Sequence, residues 1–315
     1  MIQRKLGNSE LEVSEIGLGC NNFGYVKALD VNETRRIVHR AFDCGINFLD
    51  TSDSYGHSEE FIGQILGSHR SRVILATKFG SQLDTEGKKK GASQSYIFSA
   101  VEASLSRLKT DWIDLYQLHR PDPETPIEET LRALNTLIEA GKVRYIGCSN
   151  LSEEQLAEAH ETAERLGLKQ FVTSQDEYSL LVRDIETGLL PAIEKFAMSE
   201  LPYFPLASGL LTGKYKRREE HPADSRLAQK PALNERYATS ENWRKVEKLS
   251  AFAQRHGHSL LELAFSWLLS HRVVGSVIAG ATKPEQVDAN SKAGIWKLSP
   301  DELAEVDRIS KPDAA

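Results

Sequence analysis

The sequence predicts an α/β fold whose parallel strands close into a (β/α)8 TIM barrel, with an N-terminal β-hairpin and long loops at the carboxyl ends of the strands. Three observations carry that expectation. Short β-branched or aliphatic runs recur at intervals that suit a βα unit, and amphipathic stretches at helical spacing lie between them. A chain of 315 residues has room for about eight such units in one barrel. An open doubly wound sheet is the alternative arrangement of the same elements.

Gln3 to Leu18 alternates around Gly7-Asn8-Ser9, a turn signal between two short apolar-containing runs, and predicts a hairpin capping the bottom of the barrel. Strands are expected at Ile46 to Asp50, Val73 to Lys78, Ile113 to His119, Val143 to Ser149, Val172 to Gln175 and Val273 to Ala279. Asn32 to Cys44 gathers Ile37, Val38, Ala41 and Phe42 on one helical face, and Ser95 to Leu108 does the same with Ile97, Val101, Leu105 and Leu108. Ser152 is an N-cap for a helix over Glu153 to Leu166, with acids in its first turn and Gly167 at its stop. Lys214 to Asn242 breaks the rhythm and reads as a long loop. Gly80 to Gly91, with Lys88-Lys89-Lys90, reads as a second, solvated one. No Pro/Ser linker divides the chain, so residues 1–315 form one expected domain.

Composition narrows the class. With 40% hydrophobic and 27% charged residues the chain can bury a large core. Thirty-nine Lys plus Arg against 45 Asp plus Glu leave a formal charge of −6, against a general nucleic-acid binder. Cys20, Cys44 and Cys148 are too dispersed for a disulfide framework or a metal-ligand spacing. The longest apolar stretch, Val273 to Ala281, is far below the roughly 18 residues of a membrane span, and the N-terminus has no apolar leader. The expectation is a cytoplasmic, reducing environment with no membrane, nucleic-acid or metal partner. The oligomeric state is not legible.

Barrel enzymes build their sites just beyond the carboxyl ends of the strands. The polar residues there are Asp50, Tyr55, Lys78, His119, Asn150 and Gln175. A phenol is a poor acid at neutral pH, but an adjacent ammonium favours the phenolate, and a carboxylate can orient that ammonium. Tyr55, Lys78 and Asp50 supply these three groups, and His119 adds a donor to polarise a carbonyl. Lys78 and His119 each end an otherwise apolar run, where a purely structural strand has no need of them.

The chain resembles an aldo-keto reductase. The matching stretches are Asp50-Thr51-Ser52-Asp53-Ser54-Tyr55-Gly56, Ala76-Thr77-Lys78, Leu115-Tyr116-Gln117-Leu118-His119, Gly147-Cys148-Ser149-Asn150, Gln175 to Leu181, and Pro205-Leu206-Ala207-Ser208-Gly209-Leu210-Leu211-Thr212-Gly213-Lys214. They run in the family's order over most of the chain. The resemblance implies an NADPH-dependent carbonyl reductase, with NADH as the lesser alternative. Tyr55 would be the proton donor, Lys78 would lower its pKa, Asp50 would hold Lys78, and His119 would position the carbonyl of a small-molecule substrate.

The same resemblance implies the cofactor residues. Tyr203 stacks on the nicotinamide, Ser149, Asn150 and Gln175 meet its carboxamide, and Gly19 and Cys20 approach its end of the site. Pro205, Leu206, Gly209, Leu211 and Lys214 belong to a backbone loop over the pyrophosphate. Gly280, Thr282 and Lys283 begin a turn and helix start suited to a phosphate, with Lys283 pairing a 2′-phosphate and Gln286 and Asn290 meeting the adenosine. Gln286 stands where many members carry Arg. Neither Gly17 to Gly24 nor Gly209 to Lys214 has the spacing of a Rossmann or P-loop motif. His256-Gly257-His258 reads as a surface turn.

Phe23, Tyr25, Trp112 and the two loops are candidates for substrate selection, although Trp112 precedes a strand and also suits packing. Lys88 to Lys90 or Arg217-Arg218 would favour an acidic substrate. A redox-sensing, nicotinamide-binding regulatory subunit is the alternative function, since the family resemblance includes channel-associated members. A metal-dependent hydrolase is a third reading, which lacks a His/Asp ligand cluster.

Overall fold

The computed structural model describes residues 1–24, 29–85, 87, 90–223 and 225–311. Two antiparallel strands, β1 (Gln3–Lys5) and β2 (Glu12–Ser14), form the hairpin. The expected hairpin ran on to Leu18, whereas Ile16–Gly19 is the first barrel strand, β3. The two readings share one alternating run, and only the parallel partners of β3 separate them.

Seven more strands follow: β4 (Phe48–Asp50), β5 (Ile74–Phe79), β6 (Ile113–Leu118), β7 (Val143–Ser149), β8 (Thr173–Gln175), β9 (Ser199–Glu200) and β10 (Val277–Gly280). From β3 to β9 each strand pairs in parallel with the next, and β10 pairs in parallel with β3. Closure comes from a parallel bridge between Glu200 and Val274, where Glu200 N–H donates to Val273 O and Gly275 N–H donates to Glu200 O. The sheet is therefore a closed (β/α)8 barrel, which excludes the open doubly wound alternative. Strand β9 has only two residues and no periodicity to reveal it in the sequence.

The helices are α1 (Val31–Asp43), α2 (Ser58–Leu66), α3 (Gln94–Leu108), α4 (Ile127–Glu139), α5 (Glu153–Leu166), α6 (Leu189–Lys195), α7 (Arg226–Gln229), α8 (Pro231–Tyr237), α9 (Ser240–Arg255), α10 (Leu260–Ser270), α11 (Pro284–Lys292) and α12 (Pro300–Ser310). Ser152 caps α5 in a capping box with Gln155, and Gly167 ends it in the left-handed conformation. Segment 214–242 is not a continuous loop: it carries α7, α8 and the start of α9. Helices of four and seven residues give too few turns for a periodic signal, and buried Leu227 and Tyr237 anchor them. Among the described residues no helix is long and apolar enough to cross a membrane.

The barrel interior is layered by strand alternation. Phe48, Ala76, Leu115 and Ile278 fill its amino-terminal half, and Leu6, Leu11 and Val13 of the hairpin region pack against them. Two residues further along the same strands stand Asp50, Lys78, Gln117 and Gly280. The hairpin is thus a stopper under the site. Gly7 makes it fit, at φ 49°, because a Cβ there would lie 2.3 Å from Val172 O. Gly7→Ala is expected to lower stability by about 2–4 kcal/mol, from the left-handed backbone plus the clash, measured by urea unfolding.

Candidate active site

Register brings the candidate residues together. Gly280 pairs with Gly19, Gly19 with Asp50, Asp50 with Ala76, Lys78 with Gln117, and Ser149 with Gln175. The carboxyl ends of these strands therefore form one polar rim above the apolar half of the interior.

Lys78 is completely buried, and its Nζ donates to Asp50 Oδ2 at 2.6 Å and to Thr51 O at 2.9 Å. The other oxygen, Asp50 Oδ1, accepts from Gln117 Nε2 at 3.1 Å and Gln175 Nε2 at 3.0 Å. A buried ion pair persists only when its remaining hydrogen-bonding positions are filled, and the two glutamines fill them for Asp50. Burial opposes the Lys78 ammonium, but Asp50 and then Tyr55 outweigh it, and the pKa is raised. Gln117 escaped the sequence reading as a functional residue. Its signal was there, two residues beyond Leu115 on the same strand face.

The turn that carries Tyr55 starts directly after β4. Tyr55 N–H donates to Ser52 O, and Asp53 N–H to Lys78 O. The Tyr55 ring stands edge-on to His119, with centroids 5.7 Å apart, and Lys78 Nζ lies 5.0 Å from its centroid. Burial raises the phenol pKa, and the Lys78 charge pulls it back only in part. The expected lowering is thus present as a contribution but loses to desolvation. Tyr55 stays a protonated phenol at neutral pH, the form a proton donor needs.

His119 Nδ1 lies 3.1 Å from Ser52 Oγ and 3.5 Å from Ser54 Oγ. Burial, with Lys78 and Arg120 adding to it, pushes the imidazole pKa down to about 3. The ring is neutral at physiological pH. This depressed value means that the native state gains nothing as pH falls below the unfolded 6.5, and stability is lost from there down toward pH 3.

Beyond the tetrad, the side chains are committed in specific ways. Asn150 has φ 60°, its N–H donates to Asp176 Oδ1, and its Nδ2 donates to His119 O and Ser149 Oγ. Its Oδ1 accepts from Tyr203 OH at 2.9 Å, which fixes that ring beside the strand ends. Ser149 Oγ donates to Gln175 O at 2.6 Å. With both Asn150 amide hydrogens and the Ser149 hydroxyl hydrogen engaged internally, these groups face a ligand only as acceptors. Burial pushes the Tyr203 phenol up to about 12.

The loop after β9 turns through Ser208 and Gly209, at φ 56° and 99°. Leu211 is fully buried and Pro205 buried, so only their backbones can meet a ligand; Leu206 is half-buried, and Lys214 is exposed beside the Tyr215 ring. Cys20 is buried, its thiol pKa is driven far up by burial, and its N–H donates to Asp50 O. At the far end, Gln286 Oε1 accepts from Thr282 N at 2.6 Å and Lys283 N at 3.2 Å, so Gln286 caps its own helix. Gln286 is exposed and Asn290, four residues on along α11, is buried.

Some expectations change. Phe23 is fully buried in the main core and lines no open surface. Trp112 is gripped by Arg70 and Arg144 in packing. His258 stacks on Trp296 and His256 pairs with Glu302, as a turn between α9 and α10. Tyr25, Lys88 and Lys89 lie outside the described residues. Arg226 was missed: half-buried, it sits over the Phe204 ring, acts electrostatically on Tyr55, and has no ion pair among the described residues. Its segment lacks periodicity, so no sequence signal aimed it at the site.

A probable voltage-gated potassium channel subunit beta of Oryza sativa subsp. japonica is 38% identical to this chain, over 99% of it and 98% of the rice protein. An L-glyceraldehyde 3-phosphate reductase of Escherichia coli (strain K12) is 33% identical over 98% of this chain and 92% of its own. The solved aldo-keto reductase AKR11C1 from Bacillus halodurans, in its holo form, superposes with a TM-score of 0.80 at 33% identity, covering 99% of this chain and 97% of that one. The model of the aldo/keto reductase family matches residues 15–311, and with the barrel and its rim of strand-end residues this chain belongs to the aldo/keto reductase family of oxidoreductases.

Proposed function

We propose that the protein is an NADPH-dependent carbonyl reductase acting on an aldehyde or ketone. The observation that carries the reading is the buried Lys78–Asp50 pair beneath Tyr55, with neutral His119 against the same ring. A buried ion pair is poor evidence for stability, and a phenol held over it is a reason for its presence. In this reading Tyr55 donates its proton to the carbonyl oxygen as negative charge develops there. Lys78 stabilises the resulting phenolate, Asp50 holds Lys78, and His119 donates to the same oxygen.

The groups present fit a dinucleotide. A reduced nicotinamide supplies the hydride when bound. Tyr203, fixed by Asn150, offers a ring for stacking, while Gln175 Oε1, whose amide hydrogen is turned to Asp50, offers an acceptor for a carboxamide N–H. Gly19 and Gly280 face each other across the β3–β10 pairing, and a Cβ on Gly280 would lie 3.0 Å from Asn22 Nδ2, so the backbone there carries no side chain toward a ligand. Ser208 Oγ is buried without a partner in the loop assigned to the pyrophosphate. The Thr282 and Lys283 N–H groups capped by Gln286 are those an adenosine phosphate would compete for.

Arg226 is assigned here as a counter-charge to the pyrophosphate. Arg226→Leu is expected to weaken NADPH binding by about tenfold or more, the scale of a lost charge-assisted hydrogen bond, read by fluorescence quenching. The reading as a whole is tested by titrating NADPH and NADH in parallel, then following loss of the reduced nicotinamide with a panel of aldehydes and ketones. Failure to bind either dinucleotide would overturn it.

The rice relative is named a channel subunit, which supports a second reading as a regulatory subunit; here that subunit would also bind nicotinamide, with slow or no turnover. Tight NADPH binding without turnover on any carbonyl is the result expected of it. The three cysteines are all free thiols, in keeping with the proposed cytoplasmic location.

A further inference from the structure

We propose that Asp53 is a positioning residue that sets which ring nitrogen of His119 carries the proton, acting through the Ser52 hydroxyl. The inference rests on the carbonyl-reductase reading for its catalytic meaning, but its geometry stands by itself. Ser52 Oγ lies 3.2 Å from Asp53 Oδ1 and 3.1 Å from His119 Nδ1. One hydroxyl hydrogen cannot serve both.

With Asp53 ionised, Ser52 O–H donates to the carboxylate, and its oxygen accepts from His119 Nδ1–H. The proton of the neutral imidazole then sits on Nδ1, and Nε2 is left as a bare acceptor. With Asp53 protonated, its O–H donates to Ser52 Oγ and Ser52 O–H donates to Nδ1. The imidazole proton moves to Nε2, the nitrogen that neither serine contacts and the one able to donate to a substrate oxygen. Only the second arrangement serves carbonyl reduction. Ser52, Asp53 and Ser54 lie on the turn after β4 and His119 on the neighbouring strand end after β6, already in hydrogen-bond range, so no domain movement is required.

The surroundings of Asp53 place this exchange near neutrality. Its Oδ2 is buried, with the Tyr96 and Tyr116 hydroxyls beside it. Facing it are Glu59 from α2, Tyr96 and Arg107 from α3 and Tyr116 from β6, and its N–H donates to the Lys78 carbonyl of β5. Arg107 is itself engaged, donating to Glu59 Oε2 at 2.7 Å, and Glu59 also accepts from Thr77 Oγ1 at 2.6 Å. Burial first, and then the Glu59 charge, push the Asp53 carboxyl up to about 7, against the pull of Ser52 and Arg107. His119, whose pKa is near 3, stays neutral across that range, so the exchange concerns tautomers and not charge.

The Ser54 hydroxyl is 2.9 Å from Ser52 Oγ and 3.5 Å from His119 Nδ1, which makes it the competing donor to the ring. The experiment is 15N NMR of the full chain labelled at histidine, with the His119 signals assigned by their loss in His119→Gln, between about pH 5.5 and 9. In the wild type the proton is expected on Nε2 at the acid end and on Nδ1 at the alkaline end, with a midpoint near the Asp53 value of about 7. Asp53→Asn and, independently, Ser52→Ala should each hold a single tautomer throughout. A wild-type ring with one tautomer over the whole range overturns the proposal. So does a switch that survives in Asp53→Asn, or one that survives in Ser52→Ala, which would assign the route to Ser54.

The kinetic counterpart is a carbonyl-reduction kcat that falls about tenfold from pH 6 to pH 8 in the wild type and is flat over that interval in Asp53→Asn. Because the NMR readout needs no turnover, a tautomer switch in a protein that reduces no carbonyl would uphold the relay and overturn the reductase reading.

Discussion

Tyr55→Phe is expected to lower kcat for carbonyl reduction by about 10²- to 10⁴-fold, the usual worth of a positioned general acid, while dinucleotide affinity is retained. The phenol is held between an ammonium 5.0 Å from its ring centroid and an imidazole edge 5.7 Å away. Phe keeps the ring contacts and removes only the hydroxyl. A hydroxyl that acts in the transition state affects kcat and kcat/KM equally, whereas a binding group affects KM. The sign of the pKa matters to the pH profile. Burial leaves Tyr55 above its ordinary 10.0, so the acid form persists across the neutral range. His119, pushed down to about 3, contributes no ionisation limb near its ordinary 6.5. A single-turnover measurement that shows unchanged hydride transfer in Tyr55→Phe would remove Tyr55 from the mechanism.

Lys78→Met should cost both turnover and stability. The substitution fills most of the volume but leaves Asp50 buried and charged, with only the Gln117 and Gln175 N–H groups on its Oδ1. Breaking a buried pair by removing one partner typically costs about 3–5 kcal/mol. Because the Lys78 pKa is raised, the contribution of the ammonium is complete below its ordinary 10.5 and is lost as pH rises from there through the folded value. The double variant Asp50→Leu with Lys78→Met is expected to recover much of the stability and none of the activity. Denaturant unfolding of the single and double variants, beside their turnover, separates the two roles. A double variant as active as the wild type would show that the pair is structural.

The ordered parts of the site were legible because strand alternation is a local property. Asp50, Lys78 and His119 could be placed at strand ends from their runs alone, and the structure puts all three on the rim. Gln117 lay on the same alternation but needed its neighbours to be seen as a ligand of Asp50. Asp53 and Ser52 could be read only as parts of a motif, because the bond that links them to His119 crosses from one strand end to another. Arg226 was invisible, since its short helix is held by packing of Leu227 and not by any repeat of its own. The same cause hid α7 and α8 within a segment read as loop.

By itself, the sequence determined the barrel class, the α5 cap at Ser152 and the order of the strand-end motifs, because apolar period, turn chemistry and capping act between residues a few positions apart. Tertiary structure alone decided where β3 begins, that β9 closes the barrel through Val274, that burial outweighs Lys78 at the Tyr55 phenol, and that Gln286 turns back on its own helix. Each of those depends on the parallel neighbours of a strand or on the loss of water around a charge. Both are properties of the closed barrel and of no shorter piece of chain.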